Sequence, residues 1–135
     1  MSHSRCHVLI LDGDPATLLS LQQIFENAGF DTTITWDEGE ARQLLKQESF
    51  DVLLVGDHSQ IKAVPILREL SVEGGSLACF ILQGATKTDI ELFRELGVVD
   101  VIPKRDPVKV LEQVKAHCAG EAFRATTSVG TTDAA

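Results

Sequence analysis

Residues 7–15 of the chain are HVLILDGDP. The nearly unbroken apolar run 7–11 is typical of a strand buried on both faces of a parallel sheet, and the polar cluster after it predicts a turn. Asp14 followed by Pro15 predicts the start of a helix, because aspartate caps a first turn and proline fits its first position. The stretch therefore predicts a strand that passes directly into a helix. In an open parallel sheet, the chemistry lies at the end of such a strand.

The alternation of strand and helix continues along the chain. Apolar runs that end in turn residues predict strands, and apolar residues three or four positions apart predict the helices between them. Thr88-Asp89-Ile90-Glu91 is a capping box, and Asp106-Pro107 repeats the aspartate-proline start. The predicted strands are 7–11, 31–35, 51–55, 77–82 and 98–102, and the predicted helices are 15–28, 39–47, 64–70, 88–96 and 107–119. This alternation predicts an α/β, doubly wound parallel sheet.

The composition is that of one soluble globular domain. Of the 135 residues 44% are hydrophobic, and 12 basic against 20 acidic residues give a formal net charge of −8. Such an acidic segment argues against direct nucleic-acid binding, which needs a basic surface. No apolar stretch approaches the roughly 18 residues of a membrane span. We therefore expect a cytoplasmic protein that does not enter a membrane.

Cysteine usage and the end of the chain lead to two further expectations. Cys6, Cys79 and Cys118 are odd in number and far apart in the sequence, which predicts reduced, buried thiols. Residues 121–135 lose all periodicity and are rich in Thr, Ala and Gly. They predict a disordered tail or linker stub after a folded domain at 1–120.

Several local stretches, taken in order, resemble one family. LILDGDP ends the first strand, FDVLLVGD spans the third, LFRELGVVDVIPK leads into the fifth, and Asp106-Pro107 begins the last helix. Over residues 7–118 the chain thus resembles the response-regulator receiver domains of two-component signalling. The resemblance implies a (βα)5 flavodoxin-like sheet with strand order 2-1-3-4-5 and a site at the carboxyl ends of the strands.

The resemblance also implies a phosphorylation site, and two of its acidic positions are altered here. Receiver domains hold Mg²⁺ with two acids after the first strand, and a carboxylate at the end of the third strand accepts the phosphoryl group. Asp12 matches the first acid, but Gly13 occupies the position of the second. The acceptor position falls on Gly56, which has no carboxylate. Asp14 is better used as the helix cap, so we expect no bound cofactor, Mg²⁺ included.

The remaining family positions are altered in a similar way. The hydroxyl residue after the fourth strand is replaced by Gln83, or by Leu82 in the other alignment of that loop. Val101 occupies the position of the aromatic switch in the fifth strand. Lys104 is retained, and it could pair with Asp12 in place of the missing metal charge. Together these departures resemble the degenerate, pseudo-receiver branch, in which the fold is kept and phosphorylation is lost.

Two other interpretations of the pocket remain open at the level of sequence. Asp57 lies one position beyond the acceptor and could be phosphorylated cryptically if a bulge at Gly56 turned its side chain into the pocket. Alternatively, Lys104 and Gln83 could bind a small ligand in place of phosphate. A metal site formed by Asp12, Asp14 and Asp57 is disfavoured by the ligand missing at Gly13.

The interaction surface of the family would lie on the fourth helix, fifth strand and fifth helix, where receiver domains commonly dimerise. We therefore expect a non-enzymatic signalling domain that binds a protein partner or an output domain, or forms a homodimer through this face. The candidate residues of the face are Ile90, Phe93, Arg94, Val101, Lys104, Val108 and Leu111.

Overall fold

Strands and helices alternate throughout the part of the chain that the structure describes. The structure is a computed structural model, and it describes residues 6–57, 63–73, 77–84 and 90–119. The predicted tail at 121–135 lies outside these residues. The strands are β1 His7–Leu11, β2 Asp31–Thr35, β3 Val52–Asp57, β4 Ala78–Gln83 and β5 Asp100–Pro103. The helices are α1 Pro15–Asn27, α2 Glu38–Gln47, α3 Ala63–Glu73, α4 Ile90–Glu95 and α5, residues 107–119.

The strands form one parallel sheet in the order β2-β1-β3-β4-β5. This order confirms the predicted doubly wound architecture. Leu11 of β1 pairs with Val55 of β3, and Val55 pairs in turn with Ile81 of β4. The carboxyl ends of the central strands therefore meet at one edge of the sheet, where loops from several strands can contribute to one site.

The core has two layers, one on each face of the sheet. Val8 and Ile10 of β1 pack with residues of α1 and α5 on the first face. Leu9 and Leu11 pack on the opposite face with residues of α2, α3 and α4. Successive side chains of a strand point to opposite faces, so an unbroken apolar run is required where helices cover both. Within the described ranges, no helix is long and apolar enough to cross a membrane.

The start of α1 follows the aspartate-proline prediction. The Asp14 carboxylate accepts hydrogen bonds from the backbone N–H of Ala16 at 3.1 Å and from the hydroxyl of Thr17 at 2.9 Å. Pro15 occupies the first helical position, where no N–H donor is needed. Asp14 is therefore used to start the helix, as the sequence predicts. The helix ends as predicted before Gly29, whose φ of +93° is a left-handed conformation that favours glycine.

Several predicted boundaries were wrong by one to three residues, and β5 begins at Asp100 instead of residue 98. β3 does not end before Gly56, because Gly56 and Asp57 continue the ladder opposite Leu82 and Gln83. α3 extends over Ala63–Glu73 rather than 64–70. Pro65 falls in its first turn, where a missing N–H breaks no helical hydrogen bond.

The prediction of three reduced thiols was also wrong. Cys6 and Cys118 form a disulfide although they are 112 positions apart in sequence. Cys79 is free and buried in β4, as expected. Sequence distance is misleading here because the parallel sheet brings the start of β1 under the end of α5.

Candidate functional site

The predicted pocket positions lie at the carboxyl edge of the sheet. Asp12 follows β1, Gly56 lies near the end of β3, Gln83 ends β4 and Lys104 follows β5. The strand order places β3 and β4 between the strands that carry Asp12 and Lys104. At about 4.8 Å per strand spacing, β1 and β5 are roughly 14 Å apart, so their side chains must extend across the sheet edge to meet.

Asp12 and Lys104 form an ion pair across this edge. The Lys104 ammonium lies 3.2 Å from both carboxylate oxygens of Asp12. The Asp12 side chain is fully buried, and that of Lys104 is 18% exposed. Oδ1 of Asp12 also accepts the backbone N–H of Asp14 at 2.8 Å. A buried carboxylate needs a paired charge and hydrogen bonds to be stable, and this one has both. The predicted pairing is confirmed.

The Asp12 carboxylate fills the space that a side chain at position 56 would need. A Cβ built on Gly56 would overlap Oδ2 of Asp12 and would lie 2.7 Å from its Cγ. Contacts this short do not occur between real atoms, so any larger residue at position 56 would force Asp12 to move. Gly56 is the acceptor position by sequence. The space that a side chain at position 56 would occupy is therefore filled by the carboxylate of Asp12, which follows the neighbouring strand β1.

A second glycine allows Lys104 to extend over β4. A Cβ built on Gly84 would lie 3.1 Å from Cε of Lys104, so the lysine stem passes close over this backbone. The backbone N–H of Lys104 donates to the carbonyl of Gln83 at 2.9 Å, which fixes the start of the stem beside the end of β4. Gly84 was missed by the sequence analysis. Its position two residues after the predicted fourth strand was the available signal.

The donor set at this edge does not fit a Mg²⁺ ion. Mg²⁺ requires close to octahedral oxygen coordination, usually with carboxylates. Both oxygens of Asp12 face an ammonium group, and Gly13 and Gly56 supply no side-chain oxygen. In the described parts of the chain, no three His, Cys, Asp or Glu residues are grouped so that they could hold a metal ion. The residues at this edge therefore do not fit the Mg²⁺ ion that the family resemblance implies.

The positions aligned with the family's hydroxyl and aromatic residues differ in their surroundings. Leu82 is fully buried in the core, whereas Gln83 lines the cleft beside Lys104. Of these two candidates, only Gln83 lines the cleft. Val101 is half-buried and packs against the core cluster on the face of α2, α3 and α4. It carries no aromatic ring that could rotate between two positions.

The strand ladder bears on the alternative in which Asp57 is an acceptor. β3 and β4 pair one residue to one residue from Val52 opposite Ala78 to Asp57 opposite Gln83. A bulge would place two residues of one strand opposite a single residue of the other. The bulge at Gly56 on which this alternative depends is therefore absent from the ladder between Val52 and Asp57.

An open cleft of about 590 Å³ lies beside the ion pair. Lys104 forms part of its wall, and Arg105 adds an exposed guanidinium group. Donor groups in the lining could bind an anion, although Asp12 already balances the charge of Lys104. The residues that line the cleft are Asp14, Thr17, Gln83, Gly84, Pro103, Lys104 and Arg105.

The predicted partner face is present only in part. Ile90, Arg94 and Val108 are exposed, and Val108 is 56% exposed. Phe93 was placed on this face wrongly: it is 2% exposed and packs in the core, because helical spacing turns it toward the sheet. Val99, 48% exposed, was missed.

The other candidates for the face contribute less surface. Leu111 and Val101 are half-buried and pack against the core clusters. The ammonium group of Lys104 is paired with Asp12. Val110 is fully buried and is the inward residue of the first turns of α5. The exposed face is therefore defined by Ile90, Arg94, Val99 and Val108, and we refer to these four residues as the α4–β5–α5 face.

Comparison with known proteins identifies the fold. No protein-family model matches the chain, and no curated protein matches it significantly. Among solved structures, a response regulator receiver domain protein from Methanospirillum hungatei aligns with a TM-score of 0.79 and 22% identity, over 90% of this chain and 99% of its own. A response regulator receiver protein from Pseudomonas putida aligns with a TM-score of 0.75 and 24% identity, over 85% and 99%.

A third similar structure is an orphan response regulator of H. pylori. It aligns with a TM-score of 0.74 and 17% identity, over 84% of this chain and 98% of its own. The three neighbours cover most of this chain and nearly all of their own length, at identities below 25%. The chain therefore has the fold of a response-regulator receiver domain.

Proposed function

We propose that the chain is a receiver-like signalling domain that does not depend on phosphorylation and acts by binding a protein partner or regulating an output domain. The observation that carries this proposal is the buried Asp12–Lys104 pair. Its carboxylate occupies the side-chain space of the acceptor position, and its ammonium group supplies the positive charge opposite that carboxylate.

Phosphoryl transfer requires groups that Gly56 and the Asp12–Lys104 pair do not offer. A carboxylate must be free to attack, and a cation must neutralise the transferring oxygens. Position 56 has no carboxylate, and the carboxylate of Asp12 is held by Lys104 and by the N–H of Asp14. We propose that the domain is not an enzyme and that the pair holds the pocket in one arrangement.

The proposed partner surface is the α4–β5–α5 face. It combines three exposed apolar residues with an arginine, and such mixed surfaces suit protein partners. The net charge of −8 disfavours nucleic acid as the direct partner of this segment. We place the domain in the cytoplasm, where two-component signalling domains act.

The oligomeric state should not respond to a phosphodonor. We expect the same molar mass by size exclusion with light scattering in buffer alone, with Mg²⁺, and with acetyl phosphate plus Mg²⁺. The physical reason is that no phosphoryl group enters the pocket to move β5 or α4. A mass that changes only when donor and Mg²⁺ are both present would contradict the proposal. Val108→Glu should weaken any self-association more than Leu19→Glu, a matched change at an exposed leucine of α1.

A second candidate function is the sensing of a small anion, favoured by the cleft beside the ion pair. Arg105, Gln83 and Thr17 place donors around it, and its size of about 590 Å³ is within the range of small-molecule sites. A ligand that binds only the folded state raises the melting temperature. A panel of phosphate- and carboxylate-bearing metabolites tests this candidate in a thermal unfolding assay. A stabilising compound should lose its effect in Arg105→Gln and keep it in Arg68→Gln, an exposed arginine on α3.

A further inference from the structure

Cys6 and Cys118 join the two ends of the described domain. Cys6 directly precedes β1, and Cys118 lies in the last turn of α5. Their Cα atoms are 6.8 Å apart, and their sulfurs are bonded. Both residues are half-buried and pack against the core cluster on the face of α1 and α5. The pair lies at the opposite end of β1 from Asp12, away from the pocket.

The packing of α5 explains why these cysteines meet. Val110, Val114 and Cys118 are spaced four residues apart, so they lie on one face of the helix. Val110 and Val114 are fully buried in the same cluster as Val8 and Ile10 of β1. The inward face of α5 is therefore held along the sheet by apolar contacts, and these place Cys118 over the start of β1.

We propose that Cys6 and Cys118 are a thiol–disulfide switch that links the end of α5 to the start of β1. The oxidant is a small disulfide of the glutathione class. One protein thiolate attacks a sulfur of that disulfide, which forms a mixed disulfide and releases one small thiolate. The second protein thiolate then attacks the protein sulfur of the mixed disulfide and releases the second small thiol. Each oxidation consumes two protein thiols and one small disulfide, and it releases two small thiols.

The link changes the freedom of the last helix. In the reduced protein, the end of α5 is held by non-covalent contacts, which include the apolar packing of its inward face and the edge-to-face contact of His117 with Phe80. In the oxidised protein, the same turn is also bonded to Cys6, the residue that directly precedes β1. A cross-link between positions so far apart restricts the unfolded chain strongly, so oxidation should stabilise the domain. It should also slow amide exchange in the last turns of α5.

Cys79 serves as the internal comparison. It is buried in β4, and burial raises the pKa of its thiol to about 11. A thiol with so high a pKa is almost wholly protonated at neutral pH, and the thiolate is the reactive form. Cys79 should therefore take no part in the exchange while the protein is folded.

The test equilibrates the whole chain in buffers with varied ratios of reduced to oxidised glutathione. The samples are quenched with acid, alkylated in denaturant, and analysed by intact mass and peptide mapping. We expect the oxidised protein to be alkylated at Cys79 alone and to yield a linked peptide pair containing Cys6 and Cys118. The melting temperature should be higher than that of the reduced protein by on the order of 10 °C.

Cysteine variants distinguish the Cys6–Cys118 switch from a general effect of the oxidant on the melting temperature. Cys118→Ser and Cys6→Ser should each lose the oxidant-induced rise in melting temperature, and Cys79→Ala should keep it. Linked peptides between Cys79 and another cysteine, or a Cys6–Cys118 link formed only between two chains, would overturn the proposal. So would a wild-type melting temperature that is the same in the reduced and the oxidised protein.

Discussion

Lys104→Met is expected to lower the free energy of unfolding by about 3 kcal/mol, since it removes the ammonium charge that faces the buried carboxylate of Asp12. Asp12 is fully buried, and Lys104 is its ion-pair partner across the edge of the sheet. We choose the lower end of the range for buried pairs because Lys104 keeps 18% exposure, which gives water some access. Domains of this kind have total stabilities of roughly 5–15 kcal/mol, so the loss is measurable in urea or guanidinium unfolding.

The matched control is Lys109→Met, at an exposed lysine of α5. It should change the free energy of unfolding by no more than about 0.5 kcal/mol, as surface substitutions usually do. The double variant Asp12→Asn/Lys104→Met removes both charges and keeps an oxygen for the N–H of Asp14. It should be more stable than Lys104→Met alone. A Lys104→Met protein as stable as the Lys109→Met control would show that the pair does not stabilise the domain.

Gly56→Asp is expected to be the more damaging of the two changes. It restores a carboxylate at the acceptor position, but its Cβ would overlap the carboxylate of Asp12. Overpacking costs about 1–3 kcal/mol, and two buried carboxylates in contact with a single ammonium group add electrostatic repulsion. We expect a loss of more than about 4 kcal/mol, which counts as exceptional for a point mutation.

Gly56→Ala isolates the steric part, and it should still cost about 1–3 kcal/mol because the overlap begins at Cβ. Gly39→Ala is the control, because a Cβ there meets only the end of the Asp37 side chain at 3.3 Å and alanine favours the helix. The double variant Asp12→Ala/Gly56→Asp should recover stability, since the carboxylate at position 56 can then pair with Lys104. A Gly56→Asp protein as stable as wild type would contradict the observed placement of Asp12.

Much of the fold could be predicted from the sequence because its local signals agree with one another. The apolar run 7–11 predicts a buried strand, and the aspartate-proline start at Asp14 predicts a helix. The structure has both. Boundaries were harder to predict where a turn residue also fits a strand. Glycine is a common turn residue, so Gly56 was predicted to end the third strand. In the structure it extends β3, because β4 continues beside it.

The pairing in the pocket could be predicted because parallel strands bring their carboxyl ends together. Asp12 follows the first strand and Lys104 follows the fifth. At these two positions the sequence keeps the charged residue that the family resemblance implies. The roles of Gly56 and Gly84 in making room for the pair could not be predicted. They depend on how closely the side chains of Asp12 and Lys104 approach the backbone of neighbouring elements.

Contacts between distant elements were the weakest part of the sequence analysis. Phe93 was assigned to the surface because the family resemblance implies a partner face on the fourth helix, whereas the structure turns it into the core. The bond between Cys6 and Cys118 was missed for a related reason. It depends on how α5 lies across the sheet, which no local pattern in the sequence encodes.

The proposal that the domain is independent of phosphorylation is tested most directly by intact mass after incubation with acetyl phosphate and Mg²⁺. Mass is a better readout than tryptophan emission, because Trp36 is 67% exposed and follows β2 at the edge of the sheet. Asp57→Asn is the matched variant. We predict no phosphoryl adduct on either protein. An adduct on the wild type that is absent from Asp57→Asn would contradict the account and would make Asp57 a working acceptor.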